Sequence, residues 1–271
     1  MAALDTDRPE LHRTRPGSSR HEGWHRVASA SVRLWPFALV VVAWQAWIVL
    51  KGIDRTVAPT PLSVFRYLLS QPASYAVDAW QTLRLAGTGL TLGVLAGVLG
   101  ATLAWASPLF GGLVSPAALL MRTVPIMAMI PVIARILGYG PPTIIAIASL
   151  ISFFPAFVFV RSGLQAVPPG ATDLLAVLGA RRWAAFRYLA APAALPHLLI
   201  ALRISAVTCI IGALVAEWLL GTKGLGLRLA LSQFNLETRD TWAAASVAVA
   251  MSLALFALAS YLERRGHDRF T

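Results

Sequence analysis

The side chains best placed to do chemistry gather in one stretch of an otherwise apolar chain, residues 168–203, PPGATDLLAVLGARRWAAFRYLAAPAALPHLLIALR. Asp173, Arg181, Arg182 and Arg187 carry its charge, Trp183 and Phe186 lie among them, and Pro192 and Pro196 punctuate its second half. The chemistry these types offer is recognition rather than bond making. Thr172 is expected to cap a short helix over residues 173–178, with the Asp173 carboxylate in the first turn, where the helix dipole favours negative charge. Gly179 then ends that helix in a left-handed conformation that a side chain disfavours. Such a helix puts Leu174, Leu175 and Leu178 on one side, with Arg181, Arg182 and Arg187 just beyond. An apolar face rimmed by charge suits insertion into a groove on another protein. An amphipathic helix resting on the bilayer is the alternative.

Three further charges lie inside apolar runs: Arg122, Arg135 and Glu217. An ionisable group in a bilayer requires a partner, a water-filled cavity or an interface. Arg122, near Met121, Met127 and Met129, either faces a translocation path and neutralises an anionic solute or pairs with Glu217. Glu217 is expected to hold the loop that follows its own run, and Arg135 to snorkel. Enzyme signatures are absent. No G-x-x-x-x-G-K-[ST] loop occurs, and Gly221-Thr-Lys-Gly-Leu-Gly226 lacks the spacing and the preceding strand of a phosphate cradle. His12, His21, His25, His197 and His267 have no carboxylate at ligand spacing, so no metal site is expected. Cys209 is the sole cysteine, which excludes an intrachain disulfide.

The elements that must position these groups follow from composition. Hydrophobic residues make up 57% of the 271 and charged residues 13%, the balance of an integral membrane protein. Lys and Arg number 23 against 12 Asp and Glu, but they cluster in tails and loops, a pattern that orients a membrane protein rather than one that binds nucleic acid. Spanning helices need roughly 20 apolar residues, and six runs qualify: 33–50, 83–106, 113–137, 143–160, 198–220 and 242–262. Residues 1–32 read as a disordered basic tail, 33–262 as the membrane domain with its loop at 163–197, and 263–271 as a second tail. The first run is expected to be a retained helix, not a cleaved signal. Residues 62–69 form an amphipathic segment expected along the interface. Fourteen Lys and Arg on one side against six on the other place both tails and the 163–197 loop in the cytoplasm. Gly89, Gly93 and Gly97 make overlapping GxxxG steps, for packing inside the bundle or a dimer seam. No internal repeat is evident, which counts against an ion-coupled secondary transporter, the main alternative reading. An intramembrane enzyme would need paired catalytic groups that the chain lacks.

The loop resembles the cytoplasmic EAA loop of permease subunits of bacterial ATP-binding-cassette importers. Asp173 stands at the acidic position, Gly179 six places on and Pro192 thirteen further, while Leu174 and Leu175 replace the two alanines and Leu189 stands at a β-branched position. APAALP at 191–196, ALRIS, Ala216-Glu217, the GLG at 224–226, LGYGPP at 137–142 and Phe153-Phe154-Pro155 are similar to the branch that handles nitrate, sulfonates, taurine and pyrimidine precursors of thiamine. The resemblance implies an all-α polytopic membrane protein of six transmembrane helices, with a coupling helix between the fourth and fifth. It implies a permease of the bacterial inner membrane that works as a dimer and holds no cofactor itself, with two ATP-binding subunits that hold ATP and Mg. An extracytoplasmic binding protein would deliver the solute. Asp173 and Gly179 would set the coupling geometry, Arg181 and Arg182 its charged rim, and Leu174, Leu175 and Leu178 its buried contact.

Overall fold

The computed structural model describes residues 22–52, 54 and 57–270, and among these every regular element is a helix. The chain divides into two compact units, Met1–Ile53 and Asp54–Thr271. In the first, α1 (Glu22–Lys51) carries the first apolar run and begins earlier than expected, taking in residues 22–32 of the stretch read as a tail. The rest of that tail, residues 1–21, lies outside the described residues.

The second unit opens with α2 (Pro61–Ser70), the expected amphipathic segment. Thr60 caps it: its Oγ1 accepts from the Ser63 N–H, and Pro61 starts the helix where a missing N–H costs nothing. Then follow α3 (Pro72–Ala106), α4 (Pro108–Thr123), α5 (Ile126–Leu137), α6 (Pro141–Gln165), α7 (Pro169–Val177), α8 (Arg182–Ala185), a π-helical turn (Phe186–Ala190), α9 (Ala191–Leu220), α10 (Leu225–Phe234) and α11 (Thr238–Phe270). Four stretches are long and apolar enough to cross a membrane: α3, α6, the continuous rod Arg182–Leu220, and Thr238–Gly266 of α11. With 35 residues, α3 extends over about 52 Å, well beyond the hydrocarbon layer of roughly 30 Å.

The run expected over 113–137 is not one helix. Pro125 removes a donor and pushes Val124 out of the helical region, so Val124 sits at ψ 126° and Pro125 at ψ 115°. The run is therefore shared by α4, 16 residues or about 24 Å, and α5, 12 residues or about 18 Å. Arg122 consequently falls in the last turn of α4, beside the break, rather than midway along a spanning helix.

The core is built from small residues. Lipid tails are as apolar as leucine, so helices associate through close packing rather than water exclusion. Along α3, Gly89, Gly93 and Gly97 are buried against α6. A Cβ at Gly97 would lie 2.6 Å from the Ala156 Cβ and 2.8 Å from the Phe153 carbonyl oxygen. The GxxxG face is thus a seam inside one chain. Ile144, Ile147 and Ala148 of α6 join Cys209, Ile210, Ala213 and Ala216 of α9 and Leu85 and Ala86 of α3 in a single buried cluster. The larger side chains Leu92, Leu95 and Leu99 of α3 point outward and are exposed.

Candidate functional site

One end of the bundle carries α7 and α8. Pro168 caps α7 and Pro169 occupies its first turn, so the helix begins before Thr172 and places both Thr172 and Asp173 inside it. The expected Thr172 cap and first-turn Asp173 are corrected accordingly: a proline pair fixes φ for helix initiation more firmly than a hydroxyl cap further along. The helix ends as its sequence requires. Gly179 takes φ 71°, its N–H donates to the Ala176 carbonyl at 3.0 Å, and the Ala180 N–H donates to the Leu175 carbonyl at 2.9 Å. Those two bonds form a Schellman motif and turn the chain sharply toward Arg181.

The face this creates is left uncovered. Leu174, Val177, Leu178 and Trp183 are exposed, Val177 at 86%, while Leu175 is half-buried. Asp173, Arg181, Arg182 and Arg187 are exposed around it. Val177 escaped the sequence reading, although its place three residues after Leu174 on a helix is the signal that finds it.

The segment is tied to the bundle behind it. Phe186 packs on Trp105 at the end of α3, with ring centroids 5.5 Å apart, and on Trp183 at 5.4 Å. Arg182 Nη1 reaches the Ala106 carbonyl at 3.5 Å, and Arg161 Nη1 donates to the Gly111 carbonyl at 3.3 Å. Pro192 lacks an N–H and its ring crowds the carbonyl four residues back, at Tyr188, which accounts for the widened π turn over 186–190. Beyond it, Gly163 of α6 lies so close to α9 that a Cβ there would sit 2.7 Å from the Ala194 Cα.

At the opposite end, Glu217 is fully buried near the last turn of α9. Its Oε2 accepts from Thr82 Oγ1 of α3 at 2.8 Å and from the Gly226 N–H at 2.9 Å, and Thr82 Oγ1 in turn accepts from the Leu225 N–H at 3.0 Å. The first turn of α10 is thereby held by α3 and α9 together. Both glycines of the GLG are obligatory: Gly224 has φ 145°, and a Cβ on Gly226 would meet the Glu217 Cβ at 2.6 Å. The expectation that Glu217 holds this loop agrees with its contacts.

A second node was not foreseen. Arg228 of α10 donates through Nε to both oxygens of Asp240 in α11, at 2.9 and 3.2 Å, and through Nη1 to Asp78 Oδ2 of α3 at 3.0 Å and Ser74 Oγ at 2.6 Å. Tyr75 donates its hydroxyl to Asp240 and lies under the guanidinium, 3.7 Å from ring centroid to Cζ. Burial works against the arginine charge, but the Asp240 and Asp78 carboxylates outweigh it and hold the pKa above the ordinary arginine value. In sequence these partners are 150 and 12 positions from Arg228, and only the spacing of Tyr75 and Asp78 on one helical face hinted at a site.

The groups expected to line a path are spread apart. Glu217 sits in its latch, Met127 in the first turn of α5 is exposed, and the side chain of Arg122 lies outside the described residues. Beside Met127, Ile126 lines a cleft of about 150 Å³ with Leu150, Ile151, Phe153, Phe154 and Thr208. Among the described residues no group of His, Cys, Asp and Glu could hold a metal ion.

Spanning helices packed through small residues, with a basic aromatic segment exposed between the second and third long ones, suit a membrane transport subunit. Residues 89–268 match the description "binding-protein-dependent transport system inner membrane component", and the chain belongs to that family. The riboflavin transport system permease protein RibX of Chloroflexus aurantiacus is 30% identical over 246 residues, covering 83% of this chain and 85% of that protein. The formylaminopyrimidine transport permease protein ThiX of Halalkalibacterium halodurans is 28% identical over 202 residues, 73% of this chain and 80% of that one. The inward-facing MetNI methionine ABC transporter shares the fold, with a TM-score of 0.63 and 19% identity over 72% of this chain and 98% of that one. The function is that of a permease subunit of an ATP-binding-cassette importer.

Proposed function

We propose that two copies of this chain form the path for a small solute and that two cytoplasmic ATP-binding subunits each receive α7 in a groove. ATP and Mg bind to those subunits, and a binding protein delivers the solute on the far side. The observation that carries this reading is the uncovered apolar face of Leu174, Val177, Leu178 and Trp183 inside a ring of arginines, at an end of a membrane protein. Such a face is stable in water only when another surface covers it. The excess of Lys and Arg at this end supports a cytoplasmic location, with both tails on the same side and six spans in all, α1 and the α4–α5 pair completing the four long helices.

The connections around α7 support a lever. Short links join it to α6 and α8, Gly179 fixes its exit angle, and α8 continues through the π turn into α9. A displacement of α7 by a closing ATPase pair is therefore passed to α6 and α9, two helices in close contact at Gly163 and Ala194. Asp173, on the exposed side of α7, and Pro192, which sets the π turn, are assigned to this geometry; Arg181 and Arg182 form the rim.

The solute is a small compound, either a sulfonate, taurine-like or nitrate-like anion or a flat heteroaromatic such as a pyrimidine, the class named for the ThiX relative. The cleft between α5, α6 and α9, with Phe153, Phe154 and Thr208 on its walls, favours the heteroaromatic; Arg122 on the path would favour the anion. Reconstitution of the permease with its ATP-binding subunits and binding protein in proteoliposomes tests both levels. Uptake of a labelled pyrimidine or sulfonate that requires ATP and all three components supports the reading. Uptake that proceeds without an ATPase and stops when an ion gradient is collapsed overturns it in favour of secondary transport.

A further inference from the structure

The cleft between α2 and the start of α11 has about 440 Å³ of space and is lined by Thr60, Leu62, Ser63, Arg66, Tyr67 and Arg239. No acidic side chain lines it. Arg66 and Arg239 come from different helices, both are exposed, and neither has an ion pair or hydrogen bond among the described residues. Asp240, next to Arg239 in the chain, and Asp78 are committed to Arg228. Thr60 and Ser63 are spent on the cap of α2, since Ser63 Oγ donates to the Thr60 carbonyl at 2.7 Å. The donors left facing the cleft are the two guanidinium groups and the Tyr67 hydroxyl.

One wall of the cleft leads onto an apolar stripe. At 100° per residue, Leu62, Phe65 and Leu69 fall on a single side of α2, opposite Val64, which is buried against the bundle. All three are more than half exposed, at 56%, 57% and 58%. Leu62 belongs to both the stripe and the cleft. A helix with one side packed on the bundle, one side apolar and open, and cations at the boundary lies in the plane of a membrane interface.

We propose that this cleft holds the phosphate of an anionic phospholipid in the leaflet at the α10 end, with its acyl chains along Leu62, Phe65 and Leu69. Guanidinium groups bind phosphate oxygens in a bidentate fork, and two of them converging from α2 and α11 form a clamp that fastens α11 to α2 through the lipid. The inference rests on membrane embedding and is independent of the solute and of the ATPase docking at the other end.

The test is native mass spectrometry of the full-length chain in detergent, titrated with phosphatidylglycerol, for wild type, Arg66→Ala/Arg239→Ala and Arg66→Lys/Arg239→Lys. Wild type is expected to retain one tightly held phosphatidylglycerol per chain, and the alanine pair to bind it roughly tenfold or more weakly. The lysine pair keeps the charges and should lie between them. Neither arginine makes an ion pair or hydrogen bond among the described residues, so in detergent without added lipid the thermal midpoint of the alanine pair should match wild type. Glycerol phosphate alone is expected not to bind. Equal binding of phosphatidylglycerol by wild type and the alanine pair overturns the proposal. So does tight binding of glycerol phosphate, which would make this a site for a soluble anion. Unchanged lipid retention with weakened capture of the binding protein would likewise overturn it, assigning the arginines to protein docking.

Discussion

The carboxylate of Glu217 in α9 accepts a 2.9 Å hydrogen bond from the Gly226 N–H in α10, and no residue with a side chain could replace Gly226 without displacing it. Helix α9 thus reaches across the loop that follows it and fixes the start of the next helix, while Thr82 joins α3 to the same point. Glu217→Ala leaves the Gly226 N–H without its acceptor in a buried site and leaves the Thr82 hydroxyl only the Asp78 carbonyl at 3.2 Å, a loss of about 2 kcal/mol. Glu217→Gln keeps an acceptor oxygen, and the other oxygen, Oε1, has no hydrogen-bond partner to lose. Thermal unfolding in detergent should rank the variants wild type, Gln, Ala; equal midpoints for Ala and wild type would count against the latch.

The close approach of α3 to α6 at Gly93 gives a second expectation. A Cβ there would meet the Ser152 Cβ at 2.8 Å, so Gly93→Val should lower stability by about 3 kcal/mol or more through overpacking. Gly87, on the same helix with nothing within 4 Å, should accept alanine with a gain of roughly 0.5–1 kcal/mol from helix propensity. Thermal midpoints of the two variants, compared side by side, check this.

Arg228 is the hub of the α3, α10 and α11 contacts. Arg228→Met strands the buried Asp240 carboxylate, at a cost of about 3 kcal/mol. Adding Asp240→Asn should recover part of that loss, because the orphaned charge is removed with its partner. A double-mutant cycle on unfolding midpoints measures the coupling. Since the Arg228 pKa is raised, the arginine's own titration takes nothing from the clasp below the ordinary arginine range and weakens it only as pH rises through the folded value. The clasp should therefore show no pH dependence between pH 5 and 9, a window about 3 units or more below that range.

On α7, Val177→Asp and Leu178→Asp place charge on side chains that are already exposed, so the bundle should melt as wild type does. Retention of the ATP-binding subunits on an affinity column should fall roughly 30-fold, as for a buried interface residue worth about 2 kcal/mol. Undiminished retention would move the docking surface elsewhere.

Gly179→Val tests coupling rather than docking. A β-branched residue at φ 71° costs about 1–2 kcal/mol locally and favours a different exit angle from α7. The expected result is ATP hydrolysis that no longer drives uptake in proteoliposomes, with the bundle still folded and its unfolding midpoint lowered by no more than a few degrees.

Much of this protein was written in local sequence. Apolar run length placed the spanning helices, because backbone groups in lipid must be satisfied within a helix. The distance from Asp173 to Gly179 and on to Pro192 marked the exposed segment, and Gly179 adopts the left-handed turn because an L side chain disfavours it. The Pro168–Pro169 pair shifted the start of α7, and Pro125 divided one run into two helices, effects of local sterics that run length alone does not register. What the sequence left open was partnership between distant residues. That Gly89, Gly93 and Gly97 face α6 rather than a second chain, that Glu217 meets Thr82, and that Arg228 gathers Asp78, Tyr75 and Asp240 are consequences of how four long helices rotate about their axes. That rotation is set by the packing of small side chains over the whole bundle, and no single stretch of sequence contains it.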